Sequence, residues 1–159
     1  MIYIMLSGIP TSGKSTYVSF LLQKPEFHNA IVLSTDNYIE KVAKENNLSY
    51  NEVFENEIKA ATKQLNVDLS EALKNNRPII HDQTNLTQKS RAKKLKKIPD
   101  NYKKICAYSV IDLEEAQKRN KTRPGKVIST RVIMSMLEDF IIPTLDEGFE
   151  EIINIPYSF

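Results

Sequence analysis

Short apolar runs alternate along the chain with longer stretches in which apolar residues recur every three or four positions. Ile2 to Ser7 has the pattern of a buried strand and stops at Gly8, after which Val18, Leu21 and Leu22 mark a helix from Gly13 to Gln23. Pro25 ends that helix, Ala30 to Ser34 reads as a second strand, and Asn37 to Glu45 opens another helix. From Asn51 to Asn75, Phe54, Ile58, Ala61, Leu65, Leu69 and Ala72 keep to steps of three and four, which predicts one long helix with a single buried face. Pro78 to His81, Ile105 to Ile111 and Glu151 to Ile155 supply three more strands. Lys89 to Lys97, Leu113 to Asn120 and Val127 to Ile141 are helical, the last through Ile128, Val132, Met136, Leu137 and Phe140. Lys121 to Lys126, with Pro124 and Gly125, is a loop. Strands separated by helices predict an α/β fold with a five-stranded, mostly parallel sheet.

Composition narrows the class. A length of 159 residues, 41% of them apolar, suits one globular domain over 1–159 and excludes disorder as the main state. The longest apolar run falls short of the ~18 residues of a membrane span. The single Cys106 permits no internal disulfide and points to a reducing compartment. Met1 leads directly into an apolar strand with no basic flank, unlike a secretory signal, so a cytoplasmic protein is expected. Glycine is scarce: four occur where average usage of roughly 7% would give about eleven. Two of the four, Gly8 and Gly13, lie close together.

The second of those glycines completes Gly8-Ile9-Pro10-Thr11-Ser12-Gly13-Lys14-Ser15, which matches the P-loop pattern G-x-x-x-x-G-K-[ST] between a predicted strand and a predicted helix. Glycines let backbone N–H groups turn around phosphate oxygens, and the following helix presents its positive end to them. In such a loop Lys14 reaches the β- and γ-phosphates and the Ser15 hydroxyl helps hold Mg²⁺. A nucleoside triphosphate donor, ATP or another, is the expected ligand. Two acids follow strand ends and therefore belong to the same rim of a parallel sheet. Asp36 reads either as a carboxylate that accepts the proton of an attacking hydroxyl or as the N-cap of the next helix. Asp82 reads either as a Walker B ligand of Mg²⁺ or as a turn carboxylate. His81 and Cys106 are read as core residues.

Charge is unevenly spread. Residues 89–131 hold 14 of the 22 Lys and Arg against four acids, so the net +2 of the chain hides a strongly basic stretch. That stretch reads as a surface for a polyanionic partner or as the solvated face of a helix. At its end, Lys118, Arg119, Lys121, Arg123 and Lys126 crowd a helix terminus and a loop. They read as a lid over about 119–126 that stabilises γ-phosphate charge, or as cations placed at a helix C-terminus.

In order, these segments resemble the P-loop kinase domain of bacteriophage-type 5′-hydroxyl polynucleotide kinases. The resemblance runs from Ile2 to about Phe140 and rests on Gly8 to Thr16, Asp36-Asn37-Tyr38, Asp82-Gln83-Thr84-Asn85-Leu86, Lys118-Arg119-Asn120 with Arg123, and Met134-Ser135-Met136. It implies a three-layer P-loop NTPase fold of the nucleoside/polynucleotide kinase kind. It also implies that Gly8, Ile9, Pro10, Thr11, Ser12, Gly13, Lys14, Ser15 and Thr16 bind the donor, that Asp36 is the general base, and that Arg123 contacts the transferring phosphate with Arg119 in support. Thr84 and Asn85 would lie toward the acceptor. The family commonly has an arginine three residues after the aspartate, where this chain has Ile39, so a phosphate contact beside the acceptor hydroxyl falls to another residue or is missing. No D-x-D-G-T phosphatase motif occurs, and no 3′-phosphatase activity is expected. The expected activity is Mg²⁺-dependent transfer of the γ-phosphate to a hydroxyl, first the 5′-OH of a nucleic acid or nucleotide. The alternatives are a small-molecule kinase and a non-enzymatic nucleotide-binding module.

Overall fold

Alternation in β1 (Ile2–Ser7) decides the layers. In this structure, a computed structural model describing residues 1–156, Tyr3 and Met5 point to one face and Ile4 and Leu6 to the other, all buried. The sheet is parallel throughout, in the order β2-β3-β1-β4-β5, with β2 at Ile31–Leu33, β3 at Ile79–His81, β4 at Lys103–Tyr108 and β5 at Glu151–Asn154. On the Tyr3 and Met5 face lie Leu65, Leu69 and Ala72 of α3 (Tyr50–Lys74), with Leu95, Ile98 and Tyr102 from α4 (Gln88–Leu95) and the segment after it. On the opposite face, Tyr17, Val18 and Leu21 of α1 (Lys14–Leu21) pack against Ile4, Ile80 and Ala107. The expected five-stranded parallel sheet with helices on both faces is therefore the observed one.

Helix starts follow local chemistry. Ser34 caps α2 (Thr35–Glu45) by accepting from Asn37 N, and Ser49 with Glu52 forms a capping box on α3. Asp112 caps α5 (Leu113–Lys121), and Ser129 caps α6 (Thr130–Asp139). Two predicted spans move by three residues at one end. The strand expected at Ile105–Ile111 begins at Lys103 and ends at Tyr108, because its partner β1 runs from Ile2 opposite Lys103 to Ser7 opposite Tyr108. The helix expected from Val127 begins at Thr130, since Val127 and Ile128 belong to a loop tied down at both positions.

Burial also departs from the periodicity at two places. Phe54, assigned to the buried face of α3, is 38% exposed, and Val53 takes its place against Ile39, Ala43 and Ala61. The first turns of α3 pack against α2 instead of the sheet, which rotates the buried stripe. In α6, Ile133 is the buried residue and Val132 is exposed. Ile39 is fully enclosed, packed with Ala43 of α2 and with Val53 and Ala61 of α3.

Candidate active site

The loops that follow β1, β2 and β3 meet at the carboxyl edge of the sheet, where the chain changes direction in strand order. Together with the loop after α5 they wall a cleft of about 790 Å³. Gly8 N donates to Thr84 O at 2.8 Å, joining the first loop to the third. At φ +147° a Cβ on Gly8 would stand 2.7 Å from Ser109 O, so only glycine fits there. Lys14 is buried, and its ammonium donates to Gly8 O at 2.8 Å and Ile9 O at 2.6 Å. Burial lowers its pKa to about 8 against the opposing pull of Asp82 and Asp36. Thr11 Oγ1 and Ser12 Oγ are buried without hydrogen-bond partners among the described residues. Unpaired hydroxyls and a buried cation held only by neutral carbonyls are a donor set that fits a polyphosphate. Pro10, Thr11, Gly13, Lys14, Ser15 and Thr16 line the cleft. Ile9 contributes its carbonyl, while its side chain packs with Ile111, Ala116 and Ile133.

Asp36 is the second residue of α2, and Ser34 already fills the cap position. Its carboxylate faces the cleft, where Oδ1 accepts from the Tyr50 hydroxyl at 2.6 Å and Oδ2 lies 3.4 Å from Lys126 Nζ. The same ammonium donates to Glu40 Oε1 and sits 4.4 Å above the Tyr50 ring. Burial, then the bond to Asp36, raises the Tyr50 pKa far above its ordinary value, so the phenol is a donor. Asp82 lines the same cleft with Ser15; burial raises its pKa, and Lys14 opposes that shift. Ser15 and Asp82 are the residues that would hold Mg²⁺. No group of three metal-binding side chains occurs among the described residues, so phosphate oxygens and water would complete the shell, as is usual for this ion.

Two expectations are corrected by geometry. Thr84 lines the cleft, but Asn85 does not face an acceptor: it is buried, its Nδ2 donates to Leu6 O at 2.7 Å, and its Oδ1 accepts from Lys94. At φ +46° Asn85 adopts the left-handed turn that this residue type tolerates, and its amide ties the turn to β1. The basic stretch is not all free surface either. Arg91 is fully buried and paired with Glu147, Lys103 and Lys104 pair with Glu151 and Asp100, and Lys97 bonds Asn66.

Beyond α5 the chain arches over the cleft. Since α5 ends at Lys121, Arg119 and Arg123 share no helix face, yet both line the cleft. Arg119 pairs with Glu115 and donates to Thr11 O at 3.2 Å, which ties it to the first loop. Arg123 to Lys126 form a Pro-Gly turn with Gly125 at φ +68°, where an added Cβ would meet Ser49 Cβ at 2.9 Å. Gly125 is needed for this turn and its close approach to the start of α3. Asn120 clasps the loop by donating from Nδ2 to Ile128 O at 2.6 Å and accepting from Ile128 N at 3.0 Å. Tyr50 was not singled out from the sequence, and Gln83 and Asn120 stood only within motif segments, without a role of their own. The Ser49-x-x-Glu52 pattern does mark Tyr50 as the first residue of a helix, but not what it touches.

Among the described residues no helix is long and apolar enough to cross a membrane. Residues 4–143 match the model of an AAA domain family, and the chain belongs to that family. No protein of curated function matches it by sequence. Its fold is similar to solved P-loop proteins. One is from the PezAT toxin–antitoxin system of Streptococcus pneumoniae, 17% identical over 99% of this chain and 67% of that one, with a TM-score of 0.73. A gluconokinase from Sinorhizobium meliloti 1021 is 15% identical over 99% and 85%, with a TM-score of 0.56. A deoxyadenosine kinase from M. mycoides with bound dATP is 15% identical over 100% and 92%, with a TM-score of 0.57. The chain thus has a kinase-like P-loop fold.

Proposed function

We propose that this chain, acting as one domain over 1–159, transfers the γ-phosphate of ATP to a hydroxyl of a compact acceptor. The observation that carries the reading is Asp36, whose carboxylate opens into the same cleft as Lys14, Ser15 and Asp82. In this reading the acceptor oxygen forms a bond to the γ-phosphorus, the bond from that phosphorus to the bridging oxygen breaks, ADP leaves, and Asp36 takes the hydroxyl proton. Lys14 holds the β- and γ-phosphates. Arg123 and Arg119, on the lid of about 119–126, stabilise charge on the transferring group. A magnesium ion bound through Ser15 and Asp82 would neutralise phosphate charge.

The cleft is also lined by Tyr50, Phe54, Ile58, Val132 and Met136, of which Tyr50 bonds Asp36 and Phe54 stacks on Tyr50. Those apolar walls favour a metabolite-sized acceptor with a flat or apolar face. The 5′-OH of a nucleic acid or nucleotide meets the same requirement at Asp36, with Lys126 as the cation beside it that Ile39 does not supply. It ranks second, because several cations of 89–131 are engaged within the fold. The test is transfer of labelled γ-phosphate to 2′-deoxyadenosine, gluconate, shikimate and a 5′-hydroxyl oligonucleotide. Labelling of at least one small acceptor is expected, with a loss on the order of 10²-fold or more in Asp36→Asn. Exclusive labelling of the oligonucleotide reverses the ranking. ATP binding with no labelling of any acceptor leaves the nucleotide-binding module as the function.

A further inference from the structure

Four side chains run in series from the middle of the sheet to the cleft wall, and the transfer chemistry uses none of them. The Tyr3 hydroxyl, fully buried on β1, lies 2.8 Å from His81 Nδ1 and has no other partner among the described residues. His81, the last residue of β3, is 3.0 Å through Nε2 from Gln83 Oε1. Gln83 Nε2 in turn is 3.4 Å from Thr35 Oγ1. Gln83 and Thr35 both line the cleft with Asp36.

Counting hydrogens gives the series a direction. A phenol carries one hydrogen, and leaving it unbonded inside a sheet carries the full cost of desolvation. Its single neighbour is Nδ1, so Nδ1 accepts. An imidazole that accepts at Nδ1 carries its hydrogen on Nε2, which therefore donates to Gln83 Oε1. With that oxygen engaged, the amide nitrogen of Gln83 turns to Thr35 and gives it one of its two N–H bonds. The opposite polarity would strand the Tyr3 hydrogen. Two donors are left over, the second N–H of Gln83 and the hydroxyl of Thr35, beside a carboxylate that can only accept.

The geometry points to Gln83 and Thr35 as a donor pair that recognises an accepting oxygen on the acceptor molecule, next to the hydroxyl that engages Asp36, with Tyr3 and His81 as positioning residues. This rests on the kinase reading and narrows its substrate to hydroxyl compounds that carry a second oxygen nearby, such as the ring ether of a sugar or nucleoside or a neighbouring carboxylate. A plain alcohol would leave both donors unpaired. Sites built around a polar partner reject molecules that lack it more sharply than apolar pockets reject a missing methylene.

Two measurements test the assignment. In ¹⁵N-histidine-labelled protein, long-range ¹H–¹⁵N spectra should show His81 in the Nε2–H form. The Nδ1–H form, or a charged ring at neutral pH, overturns the polarity and the proposal. The second measurement compares transfer to whichever of the four acceptors takes label with ATP hydrolysis by water in their absence. Gln83→Met should raise the acceptor KM roughly tenfold while kcat and water hydrolysis change little. Gln83→Glu, of the same shape but without the N–H donors, should do the same. Tyr3→Phe should raise KM on its own and add little in the Gln83→Met background, because it acts through that amide. An unchanged KM in Gln83→Met, with the parent chain labelling its acceptor, sinks the recognition role alone. Equal loss of transfer and water hydrolysis assigns Gln83 to the donor side and also overturns it. A parent chain that labels nothing sinks the kinase reading, and this proposal with it.

Discussion

Glu147→Gln should unfold the protein far more easily than any change at a surface ion pair. Arg91 on α4 is enclosed on all sides, and its guanidinium meets Glu147 in a fork, Nε to Oε2 and Nη2 to Oε1, each at 2.7 Å. Its remaining nitrogen donates to Asn85 O, Leu86 O and Ile141 O at 3.0, 3.1 and 2.9 Å. The Glu147 side chain is 2% exposed, so neither charge has water to fall back on. Removing one partner of such a pair leaves an uncompensated buried charge and costs about 3–5 kcal/mol. Against a total stability of about 5–15 kcal/mol, that is about a fifth or more of what holds a domain folded. With a urea slope of about 2 kcal/mol/M, the midpoint should fall by about 1.5–2.5 M. The chain has no tryptophan, so unfolding is followed by far-ultraviolet circular dichroism. Arg91→Met should cost a comparable amount. The double variant Arg91→Met with Glu147→Leu should cost clearly less than the two singles together, since both charges leave at once. Additive losses, or a Glu147→Gln midpoint equal to that of the parent, would refute the reasoning.

Other predictions concern the cleft. Lys14 has a pKa near 8 because of burial, and a polyphosphate ligand favours its charged form, so nucleotide binding should take up a proton above pH 8 and weaken up to about tenfold per pH unit there. Calorimetry in buffers of different ionisation enthalpy measures this, and an affinity flat from about pH 7 to 9.5 would exclude it. Folded Lys14 also titrates below its ordinary value, so the cost of burying its charge is present below pH 8 and fades as pH rises toward 10.5. Lys126→Met removes the contacts to Asp36 and Glu40, and amide hydrogen exchange across 122–128 should accelerate. Unchanged exchange would mean that the turn against Ser49 alone holds the loop. Gly8→Ala forces a Cβ to 2.7 Å from Ser109 O and should cost about 1–3 kcal/mol of strain along with nucleotide binding; a variant that melts and binds like the parent contradicts the close approach.

Much of the scaffold was legible because its signals are local. The short apolar run of β1 and the glycine and lysine spacing of the loop after it each depend on a few neighbouring residues, whereas the cap of α2 falls on Ser34 and not on Asp36. Asp36 and Asp82 could be assigned to one rim because parallel strands all end on the same side. What was hidden depends on partners distant in sequence. Phe54 and Val53 exchange places because the first turns of α3 meet α2, which no periodicity within α3 contains. Arg91 read as one more cation of a basic helix, and only Glu147, 56 residues later, makes it a core residue. The resemblance set Asn85 toward the acceptor, although its amide satisfies a carbonyl of β1. Tyr50 is an ordinary aromatic until the fold sets its hydroxyl on Asp36.

The clasp between Asn120 and Ile128 has a mechanical consequence. A loop stapled at its two ends can neither pay out chain nor slip in register, so it swings as one piece. Arg123 and Lys126 ride on that piece, and Lys126 grips Asp36 and Glu40. On the proposed kinase reading, an opening wide enough to admit a nucleotide would lift both side chains, and a closure that set Arg123 over the phosphates would return Lys126 to the carboxylates. On that reading the loop is a lever with one arm over each substrate. Arrival of one substrate is felt at the seat of the other, and steady-state rates measured against both should give intersecting lines instead of parallel ones.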